Sequence, residues 1–415
     1  MGRTLRNRKR IGKRVAHSAS SDELIGLFKW LKMKVRNQKL RPTMFHDTGR
    51  GLMTKRPIYP GDVIIAIPKS FLITMDTVLK SEVGFLLKRS HLKLNLQQAM
   101  SIFLITESEK QEESVWWRYI KVLPETFDTP AFWKSSDLCL LSKNVYKKTF
   151  AALNDLQTFY DEIILFLSSS KEVTITFNEF RWAWYCINSR SIYYDCDSSP
   201  YITDTNKNIA LAPFLDLLNH STTAEVEAAF NMNNNCFEIK TYNSFRKYDQ
   251  VFISYGAHSN THLLMEYGFI LPDNPHDVYE IDYDEIVKVA QNLNLQYIDK
   301  KKRVIEENAI NRKLVCSKEG MSWSIHAVLK ILAMDFTELK SWKLIFKDDT
   351  ISVTNQKAVK NMSQIILQQE LLEIRSVFVK FPSKDKSRLT RHQNLALDLL
   401  TIEENILQQS IKLLQ

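Results

Sequence analysis

The chain has 415 residues, 44% of them hydrophobic and 25% charged. That is a globular composition with length enough for two or three domains; it excludes a mostly disordered chain, a collagen-like fibre and a small disulfide scaffold. Formal net charge is +9, and seven basic residues (Arg3, Arg6, Arg8, Lys9, Arg10, Lys13 and Arg14) precede the first acid, Asp22; removing those seven leaves +2 for the rest.

The tail over 1–20 therefore reads as a basic, disordered arm. It is a nuclear-import signal, a weak nucleic-acid contact or a solvated end. No apolar run follows it, so no secretory signal is expected, and no later run is apolar enough to span a bilayer. Five cysteines (Cys139, Cys186, Cys196, Cys236 and Cys316) are scattered and form no CxxC pair. That pattern argues against a disulfide framework or a zinc site and for a reducing compartment, nucleus and cytoplasm.

Ser20 to Val35 is predicted helical: Ser20 and Glu23 have capping-box spacing, and Leu24, Leu27, Phe28, Leu31 and Val35 form one stripe. Over 43–75 short apolar segments alternate with turn residues, Val63 to Pro68 being the clearest, which predicts short strands. From about 76 to 194 the pattern is helical, clearest over 142–167 and 177–193. Strands are expected again at 226–230, 237–241 and 251–255. From about 283 the chain reads as helical to its end, closing with 383–414. The strands do not alternate with helices as a doubly wound sheet requires, so a Rossmann-type enzyme is disfavoured.

Three clusters carry chemistry. Glycine is scarce, 10 in all, and Gly49-Arg50-Gly51 is the single GxG; it marks either a tight turn or a close backbone approach to a ligand. The run Asp216-Leu217-Leu218-Asn219-His220 ends in two side chains that both donate and accept hydrogen bonds, facing a cleft or merely ending a helix. Ser254-Tyr255-Gly256 and Glu266-Tyr267-Gly268-Phe269 place two Tyr-Gly pairs twelve residues apart, with Asn260 between them. Each tyrosine either aims a hydroxyl into a pocket or packs as a core aromatic. No metal-hydrolase, serine-hydrolase or cysteine-nucleophile signature is present.

In this order, the clusters GRGL (49–52), LDLLNH (215–220), SYG (254–256) and EYGF (266–269) resemble SET-domain protein methyltransferases. The helical insertion and helical C-terminal region resemble the subgroup typified by the Rubisco large-subunit methyltransferase. The resemblance covers roughly 24–415. It implies an α+β SET-domain fold of small curled β-sheets with a pseudoknot-like C-terminal segment, a helical insertion at about 76–194 and an all-α C-terminal domain. The implied division is a catalytic domain over 21–282 and a substrate-binding domain over 283–415.

The resemblance also implies S-adenosylmethionine as cofactor and assigns roles by position. The backbone of Gly49, Arg50, Gly51 and Leu52 would hold its methionine end, and Arg190 its carboxylate. Asn219 and His220 would hold the adenine and amino group, with Asp216 supporting them, and Phe269 would cover the adenine. Tyr255 would be the catalytic tyrosine, also in contact with the cofactor. Tyr267 would line the channel for the target side chain. The expected partner is a protein substrate, histone or non-histone, docked by the C-terminal helices. No metal and no membrane are expected, and nucleic acid at most through the basic arm. The implied activity is protein-lysine N-methylation. A histidine-directed enzyme of the same subgroup and a catalytically dead adaptor are the alternatives; product analysis separates the first, and failure to bind the cofactor marks the second.

Overall fold

The computed structural model describes residues 17–18, 22–32, 39–168, 174–203, 208–347 and 350–414. The seven basic residues of the arm, the Ser20 cap and Val35 lie outside them. The chain forms two compact units, one of 1–126 with 156–257 and the other of 127–155 with 258–415.

The first unit holds most of the strands. Its largest sheet runs in the order His17–Ser18, Leu40–Phe45, Gly49–Thr54, Gln250–Ile253, Asn219–His220. The late strand Gln250–Ile253 lies between two earlier ones, antiparallel to Gly49–Thr54 and parallel to Asn219–His220. That insertion of a late segment between earlier strands is the topology expected of the fold. A second sheet pairs Val63–Pro68, Cys236–Thr241 and Val226–Asn231.

Two helices of the insertion, Leu96–Glu109 and Phe177–Arg190, pack on each other in this unit. Leu96–Glu109 is buried on nearly every face, its polar Gln97, Gln98, Ser101, Thr106 and Glu107 included. Asn95 and Gln98 close a capping box at its start. Phe177–Arg190 starts on the Thr176–Glu179 capping box and packs against it. The helix stops at Arg190, three residues before the predicted Tyr193. Ser191–Tyr193 pairs instead with Ile209–Leu211, and Ile192 and Tyr193 are residue types that favour a strand.

The second unit is built mainly of helices, with Tyr283–Asn292, Trp323–Ala333, Val353–Phe378 and Arg391–Leu413 around one apolar core. It also contains a small sheet, Tyr279–Glu280 with Val315–Ser317 and Gly320–Met321, where helix alone was expected from 283. Strands of two and three residues are too short to show an alternating pattern. The last helix begins at Arg391 rather than Ser383, because Thr390 and Gln393 form its capping box and Asp385 holds a separate turn, Lys386–Arg388.

Two carboxyls are buried between the long helices of this unit. Glu370 accepts a hydrogen bond from the Tyr279 hydroxyl at 2.5 Å. Glu403 accepts one from Ser142 at 3.2 Å, and its Oε2 has no partner among the described residues. Burial, ahead of the neighbouring acids, pushes Glu403 up from 4.5 to about 8. The folded state keeps a proton there that the unfolded chain releases near pH 4.5, so this group's contribution to stability falls as pH rises from 4.5 to about 8. Glu403→Gln should flatten that decline and raise the melting temperature at pH 8.5; a variant that melts with the wild-type pH profile would show Glu403 ionised in the fold.

Candidate active site

The hairpin of Leu40–Phe45 and Gly49–Thr54 turns at Gly49, whose φ of +67° suits glycine. Gly51 is a glycine for a different reason. A Cβ there would lie 2.6 Å from Gln250 Oε1 and 2.7 Å from Asn219 Nδ2. The bare backbone lets Asn219 reach across the sheet, where its Nδ2 donates to Arg50 O at 3.1 Å and to Gln250 Oε1 at 2.8 Å. Thr48 donates to the same Gln250 oxygen at 2.8 Å. Leu52 is fully buried beside this strand pair. Asn219 thus sits in a strand, not at a helix end.

His220 is buried, and its Nδ1 accepts the Tyr255 backbone N–H at 3.0 Å. That bond places the imidazole proton on Nε2. The two rings stack at 5.2 Å. The Tyr255 hydroxyl donates to the Leu218 carbonyl at 2.7 Å, and Gly256 follows with φ +127°, a conformation closed to other residues.

A second group of side chains forms beside this one. Arg190 Nη1 reaches the Asp216 carbonyl at 3.0 Å and Asp216 Oδ2 at 3.3 Å. Tyr119 donates to the same Oδ2 at 3.0 Å. Phe214 stands before this turn with φ +77°, fully buried, a strained backbone that costs about 1–3 kcal/mol. Asp216 therefore supports Arg190, where the resemblance implied support for Asn219 and His220. Burial works against the Arg190 charge, and Asp216 ahead of Tyr119 outweighs it, so the guanidinium is held above its ordinary value. Arg50 is pulled down, by burial first and then by Arg190. Burial and then Asp216 push the Tyr119 hydroxyl well up.

Tyr267 and Phe269 belong to the second unit. Helix Asn260–Tyr267 ends on Gly268 at φ +76°, where a Cβ would meet the Asp128 backbone at 2.9 Å. The rings of Tyr267 and Phe269 lie 6.2 Å apart across that glycine. Asn260, fully buried, donates to Asp277 and to the Leu271 carbonyl and so fixes the loop that follows. Burial, then Glu266, raises the Tyr267 hydroxyl.

The SET domain profile matches residues 49–256, and the profile "Rubisco LSMT substrate-binding" matches 292–407. SET domain-containing protein 4 of Mus musculus is 33% identical, over 100% of this chain and 97% of its own length. This chain belongs to the SET-domain family. It is an S-adenosylmethionine-dependent SET-domain methyltransferase of the Rubisco large-subunit methyltransferase-like class. The solved SET domain of LSMT bound to lysine and AdoHcy superposes with a TM-score of 0.69 at 20% identity, covering 95% of this chain and 91% of that one, and shows the same fold. Actin-histidine N-methyltransferase of Danio rerio is 23% identical over 88% of this chain and 64% of its own length.

The residues present fit the cofactor of this SET-domain enzyme. Arg190 Nε and Asp216 Oδ1 are buried and lack hydrogen-bond partners among the described residues. Arg50 and Arg190 together outnumber the single carboxylate between them, which leaves a positive excess for a ligand carboxylate. Among the described residues no helix is long and apolar enough to cross a membrane, and no three His, Cys, Asp or Glu side chains gather to hold a metal.

Tyr119 and Gln250 escaped the sequence reading. Both belong to the site only through contacts with distant segments, and neither sits in a local pattern. Gly51→Ala should displace the Asn219 amide and weaken S-adenosylmethionine binding about tenfold, the worth of roughly one hydrogen bond. Asn219→Ala and His220→Ala should also weaken it. Unchanged affinity by calorimetry in all three variants would remove the hairpin from the cofactor site.

Proposed function

We propose that this SET-domain enzyme is a protein-lysine N-methyltransferase whose C-terminal helices dock the protein substrate. When bound, S-adenosylmethionine supplies an electrophilic methyl group on a sulfonium. Gly49, Arg50, Gly51 and Leu52 would hold the methionine end, with Arg190 on the carboxylate and Asp216 and Tyr119 fixing Arg190. Asn219 and His220 would take the adenine and amino groups.

The observation that carries the lysine reading is the pairing of the Tyr255 hydroxyl with the Leu218 carbonyl at 2.7 Å. The tyrosine spends its proton on that carbonyl, and both oxygens keep acceptor lone pairs. A neutral amine that attacks through its lone pair has two N–H groups to place, and two adjacent acceptors suit it. An attacking imidazole nitrogen carries no hydrogen and would leave both acceptors unused. The amine must first lose its proton, which from a pKa of about 10.4 costs about 4.6 kcal/mol at pH 7. Partial burial at the Tyr255 hydroxyl and the positive sulfonium that the cofactor would bring both lower that cost, since both disfavour an ammonium.

The unpaired cysteines and the basic arm support action in the nucleus and cytoplasm. The direct test of substrate class is amino-acid analysis of proteins labelled from tritiated cofactor. Methyllysine is the expected product; methylhistidine would overturn the lysine reading.

A further inference from the structure

The terminal torsion of an asparagine is broad, so no rotamer well decides which way the Asn219 amide faces, and hydrogen bonds must decide it. Its Nδ2 donates one hydrogen to Arg50 O at 3.1 Å and the other to Gln250 Oε1 at 2.8 Å. The Arg50 carbonyl can only accept, so the atom turned to it is the nitrogen. The second hydrogen of that nitrogen then needs an acceptor, which fixes the Gln250 oxygen, not its nitrogen, toward Asn219. Both hydrogens are spent on the protein, and Asn219 Oδ1 accepts from no described residue. What the amide has left to offer is an acceptor.

Gln250 is held as specifically. It lies two residues before Phe252, the register partner of Asn219, so the Gln250 and Asn219 side chains rise from one face of the sheet. The Thr48 hydroxyl, in the exposed hairpin turn, donates to the same Oε1 at 2.8 Å. Gln250 Nε2 has no partner among the described residues, so the side chain serves as an acceptor for two donors. Gly51 leaves the room for this junction, since a Cβ there would collide with both amides. A residue needed only to join strands does so through its backbone, which here pairs with Met53.

We propose that Gln250, braced by Thr48, is a positioning residue for the cofactor. It turns the Asn219 amide so that Asn219 meets S-adenosylmethionine as an acceptor and selects an N–H donor of that ligand. A rotated amide would present its own N–H groups, and a ligand donor facing them would lose its hydrogen bond. The inference rests on the placing of Asn219 in the cofactor site and adds the residues that orient it there.

The test is calorimetry of the full chain with S-adenosylmethionine at neutral pH. Gln250→Leu keeps the bulk and removes the acceptor, and should weaken binding about tenfold. Gln250→Glu keeps an acceptor for both donors and gives up only an N–H group that has no partner among the described residues, so it should stay within about twofold of wild type. Thr48→Val removes the brace alone, from an exposed turn, and should cost about threefold. In an Asn219→Ala background neither Gln250→Leu nor Thr48→Val should cost anything further, because both act through Asn219. Wild-type affinity in Gln250→Leu, an equal loss in Gln250→Glu, or a full additional loss in the double variants would each overturn the positioning role. If Gln250→Leu fails to fold, Thr48→Val alone and combined with Asn219→Ala makes the same comparison. A weakened Asn219→Ala beside any of those results leaves Asn219 in the cofactor site; wild-type affinity in Asn219→Ala would remove it from that site, and the inference with it.

Discussion

Tyr255→Phe is expected to bind S-adenosylmethionine as the wild type does and to lose about 10²–10³-fold in turnover, the usual effect of removing one oriented polar group from a reacting centre. The reason lies in how Tyr255 is held. Its backbone N–H bonds His220 and its ring stacks there, and both features survive in phenylalanine. The hydroxyl alone disappears. With it goes the acceptor paired with the Leu218 carbonyl, a lone pair that would face the partial positive charge of a migrating methyl group. Calorimetry and a labelled-methyl assay on the same preparation separate the two effects. Full turnover in the variant would show that the hydroxyl only braces the Leu218 turn.

Asp216→Ala should be the most destabilising single change in the site. It removes the carboxylate that Arg190 and Tyr119 share and leaves a buried guanidinium next to Arg50 with no counter-charge. Breaking one side of such a pair costs about 3–5 kcal/mol, a drop of roughly 10 °C in melting temperature for a unit of this size. Cofactor affinity should fall with it, because Arg190 would lose its fixed position. Asp216→Asn keeps the shape and a hydrogen-bond acceptor, so it should recover part of the stability but not the charge balance. Thermal melts by circular dichroism measure all three proteins. Wild-type melting in Asp216→Ala would mean that Arg190 finds another partner and that the network is not what positions it.

The hydrophobic pattern carried the local elements well. Val63–Pro68 is a strand at the expected residues, and Lys143–Leu167 is a helix within a residue of them. Elements failed where pairing rather than periodicity decides. Ser191–Tyr193 continues a helical pattern but leaves the helix because Ile209–Leu211 offers it a partner strand. In the site, glycine scarcity and the Asn-His and Tyr-Gly pairs pointed to the right segments. The reason for Gly51 did not show in one dimension: it makes room for the amide of Asn219, far along the chain. The same holds for Tyr119, which meets Asp216 across 97 positions. The role given to Asp216 was displaced for that reason, since its partner comes from the helical insertion and not from its own motif.

A crystal structure of the full chain with bound AdoHcy is the most direct measurement of whether these segments enclose one cofactor. The ligand carboxylate should lie on Arg190 and Arg50, with its sulfur facing the Tyr255 hydroxyl. AdoHcy seated away from the Gly49–Thr54 hairpin, or with its sulfur turned from Tyr255, would contradict both the site and the chemistry assigned to it.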